Sequence, residues 1–149
     1  MTDAQEKIVE IREFTGEQLE VDGYDQSIDG FDIVTNKQVI RLWLAGDSQC
    51  CESFGYLWTN DTTDEFVGAE LRGITRVDTS LNTKRLEALI DDDFYERNFE
   101  EWIDSGDALF INIETDRGVL QFTAYNRHNG YYGHHAGVAS LQLTEEKRL

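Results

Sequence analysis

Two stretches of this chain alternate core-type residues with others on a strict period of two, and that pattern narrows its fold more than any other feature. Ile40, Leu42 and Leu44 are separated by Arg41 and Trp43, while Leu109, Ile111 and Ile113 alternate with Phe110, Asn112 and Glu114. Successive side chains of an extended strand point to opposite faces, so such runs are strands with one face turned to a core. Each run falls in a hairpin. Phe31 to Thr35 and Gln38 to Ala45 flank a turn at Asn36-Lys37, and Ala108 to Thr115 and Val119 to Asn126 flank Asp116-Arg117-Gly118. A last strand from Gly137 to Leu143 would set Ala139, Leu141 and Leu143 on one face. Phe54 to Trp58 and Leu71 to Val77 read as shorter strands.

Between these runs, Arg85 to Asp104 breaks the period. Tyr95, Phe99, Trp102 and Ile103 recur at helical spacing, Ser105-Gly106 is a stop signal, and Asn82 or Thr83 is the expected cap. The opposite face of that helix carries Asp93, Glu96, Glu100 and Asp104 in one stripe, with Asp91, Asp92 and Glu101 beside it. The expected fold class is therefore α+β: a mainly antiparallel β-sheet with one amphipathic acidic helix. The chain contains no proline, repeat or low-complexity run to mark a boundary, so residues 1–149 are read as a single domain.

Composition supports a packed core and restricts the partners. A chain of 149 residues that is 40% hydrophobic can bury about two-thirds of its unfolded surface. Against 13 Lys and Arg stand 30 Asp and Glu, a formal net charge of -17. Binders of nucleic acid or anionic lipid neutralise negative charge with clustered bases, so direct nucleic-acid and membrane binding are disfavoured. What remains is plain solubility, a high-salt habitat, or a partner with a basic surface. The acidic stripe of Asp91, Asp92, Asp93, Glu96, Glu100, Glu101 and Asp104 is the candidate partner surface; its other reading is a solvated helix face.

No stretch has the length and hydropathy of a membrane span, and Met1 to Glu6 lacks the pattern of a signal peptide. A cytoplasmic location is expected. Cys50 and Cys51 are neighbours whose mutual disulfide would be strained, so they read as free thiols. The sequon Asn60-Asp61-Thr62 then meets no glycosylating compartment.

All three histidines, His128, His134 and His135, fall in the window Tyr125 to His135. Asn129-Gly130 and Gly133 permit tight turns, so the window reads as a loop between the last two strands. One reading makes it a pocket wall, with Tyr125, Asn126, Arg127, His128, Asn129, Tyr131, Tyr132 and His134 as candidate ligand-binding residues; the other makes it a brace at the sheet end. A second cluster, Gln49 to Tyr56, adds Cys51 and Glu52 to the candidates. Vicinal Cys-Cys and His-x5-His-His do not match the spacing of zinc sites, so no metal is expected, and no other cofactor. Nucleophile elbows, phosphate loops and metalloprotease motifs are missing, so the chain reads as a non-enzyme with no catalytic residue to name.

The two clusters together are similar to a small family of uncharacterised phage and bacterial proteins. That family pairs a Cys-Cys-Glu-x-x-Gly-Tyr segment, here Cys50 to Tyr56, with Tyr-Asn-x-His-Asn-Gly-Tyr-Tyr-Gly-His, here Tyr125 to His134. The resemblance implies a phage or prophage gene and, with it, action on host machinery. Two functions follow as expectations. The first is a non-enzymatic antagonist of a host nucleic-acid-handling defence protein, an anti-CRISPR protein or similar, its acid acting as a nucleic-acid mimic on a basic site. The alternative is a sponge for a small nucleotide-like signal, held by the Tyr125 to His135 loop; a metal protein or enzyme ranks below both.

Overall fold

The computed structural model describes residues 5–21, 23–46, 53–90, 108–127 and 134–149. Their strands, in chain order, are β1 (Ile8–Val21), β2 (Tyr24–Thr35), β3 (Val39–Ala45), β4 (Ser53–Trp58), β5 (Leu71–Val77), β6 (Ala108–Thr115), β7 (Gly118–Arg127), β8 (His135–Ala139) and β9 (Thr144–Arg148). A single 3₁₀ turn (Asp64–Phe66) precedes β5, and α1 (Thr83–Ile90) follows it. The strands form two antiparallel sheets, ordered β1-β2-β3-β8-β9 and β4-β7-β6-β5.

Both expected hairpins form, and their alternation decides which faces meet. Phe31, Ile33, Ile40, Leu42, Leu44, Ala136 and Val138 of the first sheet pack against Leu109, Ile111, Ile113, Leu120, Phe122 and Ala124 of the second. Each large aliphatic side chain so buried contributes about 1.5–3 kcal/mol. An aromatic cluster closes the β4 side, where Phe31 stacks on Trp58 at 4.6 Å and meets Tyr56 edge-on at 5.3 Å. Tyr56 also reaches across to the first sheet and donates its hydroxyl to Glu13 at 2.7 Å. Burial, and after it that carboxylate, push the Tyr56 hydroxyl well above the usual phenol range.

The outer faces are occupied as well. On the first sheet Trp43 lies between Gly30 of β2 and Gly137 of β8, its two cross-strand partners. A Cβ at Gly137 would stand 2.7 Å from the Trp43 ring, so the absent side chain is what lets the indole lie flat on the sheet. Beside it Arg41 grips the buried Asp32 with two hydrogen bonds of 3.0 Å and lies over the Phe14 ring. On the second sheet α1 sets Leu86 on Ala108 and Phe110.

One end of the molecule is closed by two matching clamps. Lys7 N donates to Asn36 Oδ1 at 2.7 Å while Asn36 N donates to the Lys7 carbonyl. Glu70 N donates to Asp116 Oδ1 at 2.8 Å while Asp116 N donates to the Glu70 carbonyl. Lys7 and Glu70 also form a β-bridge, so the turns of the two hairpins hold the chain entering β1 and β5 in the same way. The turns anticipated from sequence thus do more than reverse the chain: each clamps the entering chain of its own sheet, and the Lys7–Glu70 bridge joins the two sheets at this end.

One expectation needs correction. The last strand is two strands: Ser140 Oγ accepts from Leu143 N and donates to the Leu143 carbonyl, which makes a tight turn between β8 and β9. Register with β3 puts Ala136 and Val138 inward and leaves Leu141 77% exposed, the reverse of the face expected. The mainly antiparallel β architecture is as expected, and helix among the described residues is limited to α1, of 8 residues, and one 3₁₀ turn. The cap of α1 is Asn82, whose Oδ1 accepts from Arg85 N at 3.0 Å. The remainder of the expected helix, 91–104, lies outside the described residues.

Candidate functional site

Opposite the clamped end, the strands that flank both sequence clusters come together. β3 ends at Ala45, β4 begins at Ser53, β7 ends at Arg127 and β8 begins at His135. Ser53 pairs with Arg127, Phe54 with Asn126 and Gly55 with Tyr125, while Leu44 pairs with Ala136. Ala108, which follows the stretch 91–107, pairs with Tyr125 and accepts a hydrogen bond from Lys147 Nζ at 3.0 Å. The described flanks of 47–52 and 128–133, and Ala108 after 91–107, therefore meet at a single rim. Two sequence segments far apart in the chain, Cys50 to Tyr56 and Tyr125 to His134, are drawn together because β4 is the partner of β7.

His134 is the hub of this rim. It is 3% exposed, and its ring stacks on Phe54 with centroids 3.9 Å apart. Its Nδ1 lies 3.0 Å from the Ala45 carbonyl, which can only accept, so that nitrogen carries hydrogen. Its backbone exchanges two hydrogen bonds with Leu149, of 3.1 and 2.7 Å. The fully buried Asn126 donates from Nδ2 to the same Leu149 carbonyl at 3.4 Å. Gly46, at φ +128°, completes the packing, since a Cβ there would collide with the His134 ring.

The expected ligand-binding residues divide between two sides of the sheet. Asn126 and His134 are buried at the rim, where both bond to Leu149. Tyr125 points the other way: it packs with Leu86, Ala108 and Phe110 under α1, its hydroxyl over Gly55. Arg127 is placed only as the last residue of β7, paired with Ser53. Cys51, Glu52, His128, Asn129, Tyr131 and Tyr132 lie outside the described residues, as do Asp91, Asp92, Asp93, Glu96, Glu100, Glu101 and Asp104. Among the described residues no group of three His, Cys, Asp or Glu is arranged to hold a metal ion.

An acidic surface that sequence reasoning missed lies on β1. Glu10, Glu13, Glu17 and Glu20 are all exposed along this one edge strand. At about 3.3 Å per residue they span roughly 30 Å. Register shifts between Ile8 and Glu10 and between Phe14 and Glu17, with Gly16 at φ +69°, break the period of two that would have marked the strand. Charge on an edge also discourages strand addition by another chain, which is an ordinary structural use of it.

Fold and rim together define an acidic domain of two antiparallel sheets, locked at one end and carrying its distinctive segments at the other. The chain belongs to the family described as a domain of unknown function, DUF7448, whose model matches residues 5–138. That span takes in β1 to β7, most of β8 and both clusters. Comparison with curated proteins and with solved structures gives no match. No helix among the described residues is long and apolar enough to cross a membrane.

Proposed function

We propose that this protein is a non-enzymatic antagonist that occupies the basic, nucleic-acid-binding site of a host defence protein. The observation that carries the reading is the formal charge of -17, with a described row of carboxylates, Glu10, Glu13, Glu17 and Glu20, set along one strand edge. A stripe of roughly 30 Å approaches one turn of duplex, about 34 Å, so a groove that tracks a phosphate backbone could follow it. Net negative charge on a rigid sheet steers a basic partner and costs little ordering on binding, with Glu10 beside Arg12 and Glu13 holding the Tyr56 hydroxyl. The phage origin implied by the two motif segments supplies the defence context.

The test is capture of partners from host lysate with the wild type, with Glu10→Lys/Glu17→Lys/Glu20→Lys, and with Asp93→Lys/Glu96→Lys/Glu100→Lys. The reading expects a nucleic-acid-handling partner whose binding falls steeply with salt, is displaced by its nucleic acid, and is lost in at least one triple variant. Tight association that is undiminished at high salt would overturn it.

A second reading, a binder of a small nucleotide-like ligand at the rim, is favoured by one observation: the flanks of both motif segments converge on Phe54 and His134. A thermal-shift screen against nucleotides separates it from the first, because only the ligand reading expects stabilisation without a protein partner.

A further inference from the structure

Away from the rim and from β1, a cleft of about 390 Å³ opens where the chain leaves β4 and where it approaches α1. Thr59, Asn60, Asp61, Thr62 and Glu65 form one wall, Leu81 and Asn82 the other. That volume is in the range of small-ligand sites, about 300–1,000 Å³.

The walls are fixed from below by a residue that a sheet would not ordinarily bury. Gln121 on β7 is 0% exposed, and its backbone N and O and its side-chain oxygen all bond to residues that line the cleft. Its backbone N donates to Asn60 Oδ1 at 2.9 Å, and its carbonyl accepts from Thr59 N at 2.8 Å. Its Oε1 accepts from Leu81 N at 2.9 Å, while Nε2 donates to the Thr79 carbonyl and to Asn112. Asn60 is held again by donating to the Val119 carbonyl at 2.8 Å, and Thr59 by a buried hydroxyl pair with Thr123 at 2.6 Å. Burying an amide costs free energy unless all its groups are paired, and here the pairing holds two separate walls at a set distance. The same bonds occupy the Asn60 amide, so the Asn60-Asp61-Thr62 sequon is a structural element of the cleft.

The lining is chemically one-sided. With the Thr59 hydroxyl and the Asn60 and Asn82 amide oxygens already bonded within the fold, the remaining side-chain acceptors are the Thr62 hydroxyl and the carboxylates of Asp61 and Glu65, and no lining residue is Lys, Arg or His. Arg85 touches it only by pairing with Asp61 at 3.1 Å. Two carboxylates fall short of a cation cage, consistent with no three-ligand metal group among the described residues. We infer that this cleft binds an organic cation that donates hydrogen bonds, a guanidinium or alkylammonium group. Such a group carries donors and no acceptor, which suits a lining whose remaining side-chain groups are carboxylates and a hydroxyl. The group comes either from a free amine or from an Arg or Lys side chain of a protein partner, and the inference stands independently of the β1 stripe.

The experiment is an amide chemical-shift titration of the full chain with agmatine, with a short arginine-containing peptide, and with the same peptide carrying citrulline, its neutral isostere. The expected result is saturable shifts at Thr59 to Thr62, Leu81 and Asn82 with the two cationic probes and none with citrulline. Tighter binding of agmatine identifies a free amine as the source, and tighter binding of the peptide identifies a partner side chain. Asp61→Asn/Glu65→Gln, which leaves Gln121 and the walls intact, should weaken either probe by about tenfold or more. Shifts that are unsaturable, spread over the acidic surface, equal for citrulline, or unchanged in the double variant would overturn the inference.

Discussion

The ring of Phe54 stacks on the ring of His134, centroids 3.9 Å apart and planes 20° from parallel, and this contact joins the first residues of β4 to the entry of β8 in the other sheet. Because the His134 ring also reaches the Ala45 carbonyl and its backbone pairs with Leu149, one residue connects three strand ends. A double-mutant cycle of Phe54→Leu and His134→Leu should give a coupling of about 0.5–1.5 kcal/mol, measured by urea denaturation. His134→Leu alone should cost more than Phe54→Leu, because it also leaves the buried Ala45 carbonyl without that partner.

Gln121→Leu keeps the side-chain bulk and removes the amide that serves Leu81, Thr79 and Asn112. It should destabilise the protein by about 2–4 kcal/mol, since buried groups are left unpaired. Calorimetry should show the loss as a lower melting temperature, roughly 2–4 °C per kcal/mol. The amide of Leu81 should exchange with solvent faster than in the wild type.

Gly137→Ala tests the seat of Trp43. The new Cβ would lie 2.5 Å from the Glu145 carbonyl oxygen and 2.7 Å from the indole, so the backbone or the ring must move. A loss of about 1–3 kcal/mol is expected, with a changed near-ultraviolet circular dichroism signal from the displaced ring.

Glu6 makes stability depend on pH. Burial alone would raise its carboxyl, but hydrogen bonds from Thr35, Gln38 and Gln142 and the charge of Lys37 outweigh it and hold the group below its ordinary value of 4.5. A depressed folded-state value means that the stabilisation is fully present above pH 4.5 and is lost as pH falls through the folded value. The stability gap between wild type and Glu6→Gln, followed by denaturant titration across pH 3 to 7, roughly spanning that window, should therefore shrink on the acid side.

Much of the sheet was legible in the sequence, and the reason is local. The faces of β3 and β6 follow from alternation of side chains along a single strand, and the hairpin turns from Asn36-Lys37 and Asp116-Arg117-Gly118. Where a strand departs from that regularity the sequence misleads. The bulges of β1 hid its acidic edge, and Gly137 to Leu143 seemed one strand because Ala139, Leu141 and Leu143 keep a period of two across the Ser140 turn.

The site divides in the same manner. Residue types and spacing alone marked Tyr125 to His135 and the Cys50 cluster as distinctive, and composition alone set the charge of -17. Which of these residues are neighbours, which face they take and which are buried is fixed by long-range pairing: β4 with β7, β8 with β3, and Leu149 against His134. Hydrogen bonds between distant strands have no signature along the chain. For that reason only the tertiary structure could bring the two clusters to one rim, turn Tyr125 away from Asn126, and show Gln121, an unremarked residue in a strand, holding both walls of a cleft.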